Sequence, residues 1–185
     1  PELLLQSPDV WNKIFRRSLY IENGVRFTER VWFEDLRTVP KLYHYTDRIV
    51  YLPEAWHRYV QRPGSVTNTK KTERNLEIIP AVDELTAFYK NTAEYPEIKD
   101  VLGYLAFRSE FLTSSVRANL ADWRSNVQDK LREDFLGKFP DYASNPYVRT
   151  MSRKHKLLTT LLMHRQYLAV HIIMKLNNRL KSKKV

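Results

Sequence analysis

The 185-residue sequence contains no cysteine, which excludes disulfides, thiolate metal ligands, cysteine nucleophiles and iron–sulfur clusters. It has only four glycines, and it contains no glycine-rich phosphate loop. No run of 18 apolar residues occurs, so we expect no membrane-spanning helix. The first residues, PELLLQSPDVW, have no basic region and no long apolar stretch, so they do not form a signal peptide. These absences favour a cytoplasmic protein.

Acidic residues are missing from one end of the chain. Residues 145–185 contain ten Lys and Arg and no Asp or Glu, whereas the other 21 basic residues are balanced by the 21 acidic residues of positions 1–144. The formal charge of +10 is therefore confined to the last 41 residues. Such asymmetry indicates an anionic partner for this segment alone.

The composition is that of a folded protein, with 43% hydrophobic and 12% aromatic residues. In the first 70 residues, apolar spacing predicts helices over 8–20 and 34–45, the second kinked by Pro40. Short β-rich runs predict strands at Val25–Phe27, Ile49–Leu52 and Trp56–Val60.

Beyond residue 70 the pattern becomes helical throughout. It predicts a helix kinked or started near Pro80, further helices over 97–117 and 118–137, and a loop over 138–148. One long helix is predicted from Met151 to about Asn178. The fold class is therefore α+β and predominantly helical, with a mixed piece over 1–70 and a helical domain over 71–185.

Few residue patterns point to chemistry. No Asp-x-Asp pair, His-Glu-x-x-His or Gly-x-Ser-x-Gly motif occurs, and we predict no metal site in the chain. The notable pair is Glu34-Asp35, two adjacent carboxylates that open a predicted helix. On residue chemistry alone, helix capping is the favoured interpretation and catalysis is the alternative.

A resemblance to a known family makes catalysis by Glu34-Asp35 the favoured interpretation. Five segments carry it, in this order: WNKIFRRSLY (11–20), ENGVRF (22–27), WFEDL (32–36), IVYLPE (49–54) and YVQRPGS (59–65). Their order and spacing resemble the second half of the family 2 glycosyltransferases of the GT-A fold, especially bacterial enzymes of capsule and exopolysaccharide assembly. The resemblance covers residues 8–70. Residues 71–185 share only the family's habit of ending in a variable helical region.

The resemblance implies an inverting transfer of a sugar from a nucleotide-diphosphate sugar to a saccharide or lipid-linked saccharide. Asp35 matches the family's general base, and Glu34 would orient the acceptor or raise the pKa of Asp35. Trp32, Trp11 and Lys13 become candidates for acceptor binding, although for Trp11 a core position is favoured. Arg62 and Ser65 match the segment that approaches the donor diphosphate, with a surface ion pair as the alternative for Arg62.

Two departures from the family pattern are visible. Val60 stands where the family usually has Arg, and Pro40 interrupts the helix behind the two carboxylates. The family also uses a divalent metal, Mg²⁺ or Mn²⁺, but the nucleotide-binding strand and the metal-binding Asp-x-Asp of its first half do not occur here. We therefore interpret the sequence as the C-terminal part of a longer enzyme, inactive without the other half.

The basic segment 149–185 has three interpretations. It packs into the helical array with solvated charges, it lies on an anionic membrane at the inner face, or it binds nucleic acid. Nucleic acid ranks lowest, because Tyr147 and Tyr167 are the only Phe, Trp or Tyr in residues 145–185 and no recognition motif is present. A basic helical module without catalytic activity, which binds a membrane surface or an acidic partner, is the alternative to the glycosyltransferase.

Overall fold

The structure, a computed structural model, describes residues 2–60 and 72–182. Helices dominate, as the sequence predicts. The α-helices are α1 (Arg17–Ile21), α2 (Glu34–His44), α3 (Ile78–Lys90), α4 (Tyr95–Ala106), α5 (Ser114–Ala121), α6 (Val127–Lys138), α7 (Pro146–Arg149), α8 (Arg153–Met163) and α9 (Tyr167–Ser182). Short 3₁₀ helices cover Glu2–Leu5, Thr72–Glu77 and Tyr142–Ser144, and a π-helix covers Phe107–Thr113.

The predicted strands are wrong for the part of the chain that the structure describes, which contains no β-strand. A strand needs a neighbouring strand to satisfy its backbone donors and acceptors. Val25 instead donates its amide to the carbonyl of Tyr20 across a turn, at 3.0 Å. Residues 47–60 are exposed and have no regular secondary structure. Their β-branched and aromatic residues fit a strand, but within residues 2–60 and 72–182 no second strand lies alongside.

The helix predicted over 8–20 is also wrong in extent, since only Arg17–Ile21 is helical. The preceding residues form a turn that Lys13 stabilises. Its ammonium donates to the carbonyl oxygens of Ser7 and Asp9, at 2.7 and 2.8 Å. These side-chain bonds satisfy backbone acceptors and so offer the chain an alternative to the helix.

The long helix predicted from Met151 is two helices, α8 and α9. The break lies at Arg165, which takes a left-handed conformation with φ 56°. Gln166 donates its amide to the Leu161 carbonyl at 2.8 Å, and Arg165 donates to Leu162 at 3.1 Å. These two bonds form a Schellman motif, which usually contains glycine. Arg165 compensates for the unfavourable backbone through ion pairs with Asp129 and Glu133 on α6.

The core is built around aromatic rings contributed by α6 and the π-helix. The Phe135 ring lies 5.4 Å from Phe111, 5.9 Å from Phe107 and 5.6 Å from Tyr142, measured between ring centroids. Phe107, Phe111 and Phe135 are at most 1% exposed. Leu4 and Leu36 belong to the same buried cluster, so the first part of the chain shares its core with the helical part.

Helix α2 packs directly on α3. The helix runs from Glu34 to His44 with Pro40 inside it, as the sequence predicts, and Tyr89 of α3 donates its hydroxyl to the Pro40 carbonyl at 2.6 Å. Buried Arg37 pairs with Glu84, also on α3. The division of the chain near residue 70 stays a prediction.

Replacing Phe135 with alanine should lower the free energy of unfolding by about 3–5 kcal/mol, because it leaves a cavity against three other rings. Chemical denaturation followed by circular dichroism measures the change. Phe27, which is 39% exposed, provides the control: Phe27→Ala should cost less than about 1 kcal/mol. Equal losses for the two variants would contradict the assignment of Phe135 to the core.

Candidate functional site

The candidate site lies where the chain turns into helix α2. Arg30 and Phe33 both adopt left-handed backbone conformations, with φ 60° and 63°. Positive φ in non-glycine residues is strained and persists only where surrounding contacts hold it. Here the amide of Trp32 donates to the Glu77 carboxylate at 2.6 Å, which fixes the turn between the two strained residues.

Glu77 serves as the anchor of this turn. Burial raises its pKa, but hydrogen bonds from Arg74 and from the Trp32 amide outweigh that effect, and the pKa of Glu77 is lowered overall. The second carboxylate oxygen accepts from Arg74 at 2.7 Å. The carboxylate therefore stays ionised and links the start of α2 to the 3₁₀ helix before α3.

Trp32 is placed by the same contacts. Its side chain is 7% exposed, and the guanidinium of Arg74 lies 4.7 Å from the centre of its ring. A cation over an aromatic face is favourable and occupies that face. These contacts are those of a packed residue, and a role for Trp32 in acceptor binding stays a prediction.

The surroundings of Asp35 raise the pKa of its carboxyl group. Partial burial, the neighbouring Glu34 and the charge of Asp9 raise the pKa of Asp35 to about 6, against the opposing effects of a hydrogen bond from the Val10 amide and the charge of Lys13. Burial together with the charge of Asp35 also raises the pKa of Tyr20.

The hydrogen bond from Val10 bears on the capping interpretation. The N-cap of α2 is Phe33, which makes no side-chain capping bond. The bond that Asp35 accepts comes from Val10, in a separate segment of the chain. Helix capping, the interpretation favoured from residue type, would have Asp35 accept a bond from the first turn of α2. The bond from Val10 is not of this kind.

Lys13 lies close enough to influence Asp35 without forming an ion pair with it. Burial lowers the pKa of Lys13, and the charges of Asp9 and Asp35 oppose the shift. Its three donors are directed to the carbonyls of Ser7 and Asp9 and to the side chain of Asn12, at 2.7–2.8 Å. Lys13 thus shapes the loop beside Asp35, and direct contact with an acceptor stays a prediction.

An exposed aromatic cluster adjoins Asp35 through Val10. Trp11, the next residue, is 43% exposed, so the expectation that it lies in the core is wrong. Its ring centroid lies 5.1 Å from that of His57 and 5.1 Å from that of Tyr59. His57 and Tyr59 lie in a segment without regular secondary structure, where a strand was predicted, and their rings contact the N-terminal loop at Trp11.

Sequence reasoning missed three members of this site, Asp9, Tyr20 and Tyr59, and for His57 it gives a pocket-lining position only as the less favoured interpretation. The signal present is the aromatic density of residues 51–59, parts of which the pattern predicts as the strands Ile49–Leu52 and Trp56–Val60. Val60 is 58% exposed. Arg62 and Ser65, the predicted diphosphate contacts, lie outside the described residues.

The residues of this region do not fit a catalytic metal. Within residues 2–60 and 72–182, no group of three His, Asp or Glu side chains is arranged to hold a metal ion. Asp35, Glu34 and Asp9 influence one another electrostatically but provide no such ligand set. The divalent cation implied by the resemblance is therefore not assigned to these side chains.

A second feature lies on α9. Four apolar side chains spaced by four residues, Leu168, Ile172, Leu176 and Leu180, are 49–64% exposed. This spacing places them in one stripe along the helix. Lys175 and Arg179 lie on the same helix. In the described part of the chain, no helix is long and apolar enough to cross a bilayer.

Comparison with known proteins gives no relative for this chain: no family model, no curated protein and no solved structure matches it. Function must therefore be argued from the residues of the site.

Asp35→Asn should stabilise the protein at neutral pH. The folded-state pKa of Asp35, about 6, exceeds its ordinary value of 3.8, so ionisation disfavours folding and wild-type stability is lost as pH rises from 4 to 6. After allowance for solvent screening, the variant should gain about 1 kcal/mol at pH 7.5 and nothing near pH 3.5. Urea denaturation at both pH values measures the difference.

The control is Glu97→Gln, which removes an exposed carboxylate in the first turn of α4. It should change stability little at either pH. A loss of stability for Asp35→Asn at pH 7.5 would mean that the ionised carboxylate supports the fold and would contradict the raised pKa.

Proposed function

We propose that this chain is the acceptor-side part of an inverting glycosyltransferase of the family 2 type, with Asp35 as the general base. The observation that supports this best is the junction of a carboxylate of raised pKa with an exposed aromatic cluster, Trp11, His57 and Tyr59. Exposed rings of this kind stack on the apolar faces of sugar rings. A nearby base can then remove a proton from a sugar hydroxyl.

In the proposed reaction, Asp35 accepts the proton of the attacking hydroxyl group. As the acceptor oxygen forms its bond to the anomeric carbon of the donor, its proton passes to a carboxylate oxygen of Asp35. The bond between the anomeric carbon and the diphosphate oxygen breaks, and the nucleoside diphosphate leaves with the electron pair. The attack comes from the face opposite the leaving group, so the configuration at the anomeric carbon is inverted.

The pKa of Asp35 suits this role. A base works best when its pKa lies near the operating pH, because it is then both ionised and basic enough to accept a proton. With a pKa of about 6, Asp35 is mostly ionised at pH 7 and more basic than an ordinary aspartate. Glu34 contributes through its charge, which raises the pKa of Asp35.

The nucleotide-diphosphate sugar is the expected donor, and a saccharide or lipid-linked saccharide is the expected acceptor. The chain lacks the nucleotide-binding motifs of the family 2 glycosyltransferases that it resembles. We therefore assign donor binding to a longer polypeptide that includes residues 1–185. In that setting the protein would act in cell-surface polysaccharide synthesis at the cytoplasmic side of the membrane.

The test is transfer by the full open reading frame, supplied with Mn²⁺ and a panel of nucleotide-diphosphate hexoses, with release of nucleoside diphosphate as the readout. Asp35→Asn should lower kcat by at least a factor of about 10² while leaving the fold intact. Glu97→Gln is the matched control and should leave turnover unchanged. Near-normal turnover of Asp35→Asn would exclude Asp35 as the base.

Calorimetry tests whether the enzyme binds a nucleotide-diphosphate sugar and whether that binding needs residues outside this chain. The full reading frame should bind the donor in the presence of Mn²⁺, whereas the 185-residue chain alone should not. Donor binding by neither form, with both folded, would contradict the glycosyltransferase proposal.

A second candidate function is supported by the stripe on α9. A helix with exposed Leu168, Ile172, Leu176 and Leu180 and with basic neighbours suits the surface of an anionic membrane. Each Lys or Arg near such a surface adds about 1 kcal/mol of attraction. No acidic residue occurs in 145–185 to oppose it. This is the non-catalytic alternative, and it is also compatible with an enzyme acting on a lipid-linked acceptor.

The double variant Ile172→Glu/Leu176→Glu should lose most binding to vesicles containing 30% anionic phospholipid, because it places two negative charges in the apolar stripe. Co-sedimentation measures the bound fraction. The control is Ile14→Glu, a similar change at a position that is 96% exposed on another part of the surface. Equal binding by all three proteins, or equal binding to uncharged vesicles, would contradict membrane docking through α9.

A further inference from the structure

A separate cavity lies between the π-helix and helices α8 and α9, and its volume is about 290 Å³. Its wall is mostly apolar, and the side chains that form this part are Phe107, Leu112, Val116, Met151, Leu158 and Met174. The volume is near the lower end of the range for small-molecule pockets, about 300 Å³. At about 30 Å³ per water-sized group, the cavity holds a ligand portion of roughly ten non-hydrogen atoms.

The charged side chains in the cavity wall are all basic. Arg108, Lys154 and His155 line the cavity, and no Asp or Glu is among the lining residues. The ammonium of Lys154 donates to the neutral side chain of Asn177 at 3.3 Å, and one ring nitrogen of His155 contacts Ser152 Oγ at 3.2 Å. The basic groups of the cavity therefore face no negative charge from the cavity wall.

Arg108 is the most informative of these groups. Burial lowers the pKa of its guanidinium, and one nitrogen donates to the Leu5 carbonyl at 2.6 Å. In residues 2–60 and 72–182, no carboxylate lies within ion-pair distance of it, whereas buried Arg37 pairs with Glu84. The Arg108 side chain is partly buried, so part of its charge has left water without a carboxylate beside it, which is unfavourable.

The π-helix explains how the apolar wall and this cation come together. Residues five apart in an α-helix point about 140° away from each other. The wider turn of a π-helix brings them toward one face, so Phe107 and Leu112 line the same cavity beside Arg108. Such π-helical turns are rare, and they occur frequently at functional sites.

We propose that this cavity binds an amphipathic anion: an unbranched alkyl chain of about ten carbons or a similar apolar group that ends in a phosphate or carboxylate. The apolar tail of the ligand lies against the apolar wall of the cavity. Its anionic head accepts hydrogen bonds from the guanidinium of Arg108, with Lys154 at the rim. This site is distinct from the surroundings of Asp35, so its ligand binds whether or not the chain belongs to a glycosyltransferase.

Calorimetric titration of the 185-residue chain tests the proposal with three probes used below their aggregation concentrations. Decyl phosphate carries both parts of the ligand, decanol carries only the tail, and inorganic phosphate carries only the charge. Decyl phosphate should bind at least ten times more tightly than either of the others. Equal affinity for decanol or for phosphate, or no binding of decyl phosphate, would overturn the proposal.

Arg108→Gln should weaken decyl phosphate binding at least tenfold and leave the affinity for decanol unchanged. The matched control is Arg117→Gln, because burial also lowers the pKa of Arg117 while that residue does not line the cavity. An equal loss in both variants would overturn the assignment of Arg108. If Arg108→Gln fails to fold, Met174→Trp, which fills the cavity, should abolish binding of decyl phosphate, and unchanged affinity would overturn the site.

A last variant separates this cavity from the stripe on α9. Ile172→Glu/Leu176→Glu alters the opposite face of the helix and should bind monomeric decyl phosphate as the wild type does. Loss of decyl phosphate binding in this variant would mean that the probe adheres to the exposed stripe, and it would overturn the cavity as the binding site.

Discussion

The carboxylate of Glu77 connects the two parts of the chain on which the candidate site depends. It accepts the Trp32 amide on one oxygen and the Arg74 guanidinium on the other, while the Glu77 carbonyl accepts from Arg37 at 3.4 Å. These bonds hold the left-handed turn before α2 and fix that helix on α3. The position of Asp35, one residue into α2, follows from this arrangement. Loss of the Glu77 carboxylate would remove the hydrogen bond to Trp32 that lies between the two strained residues.

Buried charges in this protein follow two patterns. Arg37 has a carboxylate partner, and Lys138 approaches Asp83, Asp134 and the fully buried Glu110. Burial, together with Asp134 and Asp83, raises the pKa of Glu110 to about 9 despite the charge of Lys138, so Glu110 is protonated at neutral pH. Arg108, which is only partly buried, differs from both: within residues 2–60 and 72–182 no carboxylate pairs with it, and a guanidinium does not lose its proton at neutral pH. The positive charge of Arg108 at the cavity wall can therefore pair with an anionic ligand.

The two ends of the chain offer different chemistry. The N-terminal loop combines an exposed aromatic cluster with a carboxylate whose pKa lies near neutrality, which suits recognition of a polar ring and transfer of a proton. The C-terminal helices combine apolar surface with positive charge, which suits anions that carry an apolar part. A transferase acting on a lipid-linked saccharide would use both surfaces, whereas a basic binding module would use only the second.

The sequence by itself determined the predominance of helix, the start of α2 at Glu34, and the confinement of the net charge to the last 41 residues, because these depend on local periodicity and on counting. Tertiary structure decided the rest. The β-rich runs have no neighbouring strand in the part of the chain that the structure describes. Arg165 ends a helix in place of glycine, and Asp129 and Glu133 hold its side chain. Arg74 lies over the ring of Trp32, His57 contacts the ring of Trp11, and burial raises the pKa of Asp35. These effects need residues distant in sequence, whose proximity only the folded chain creates.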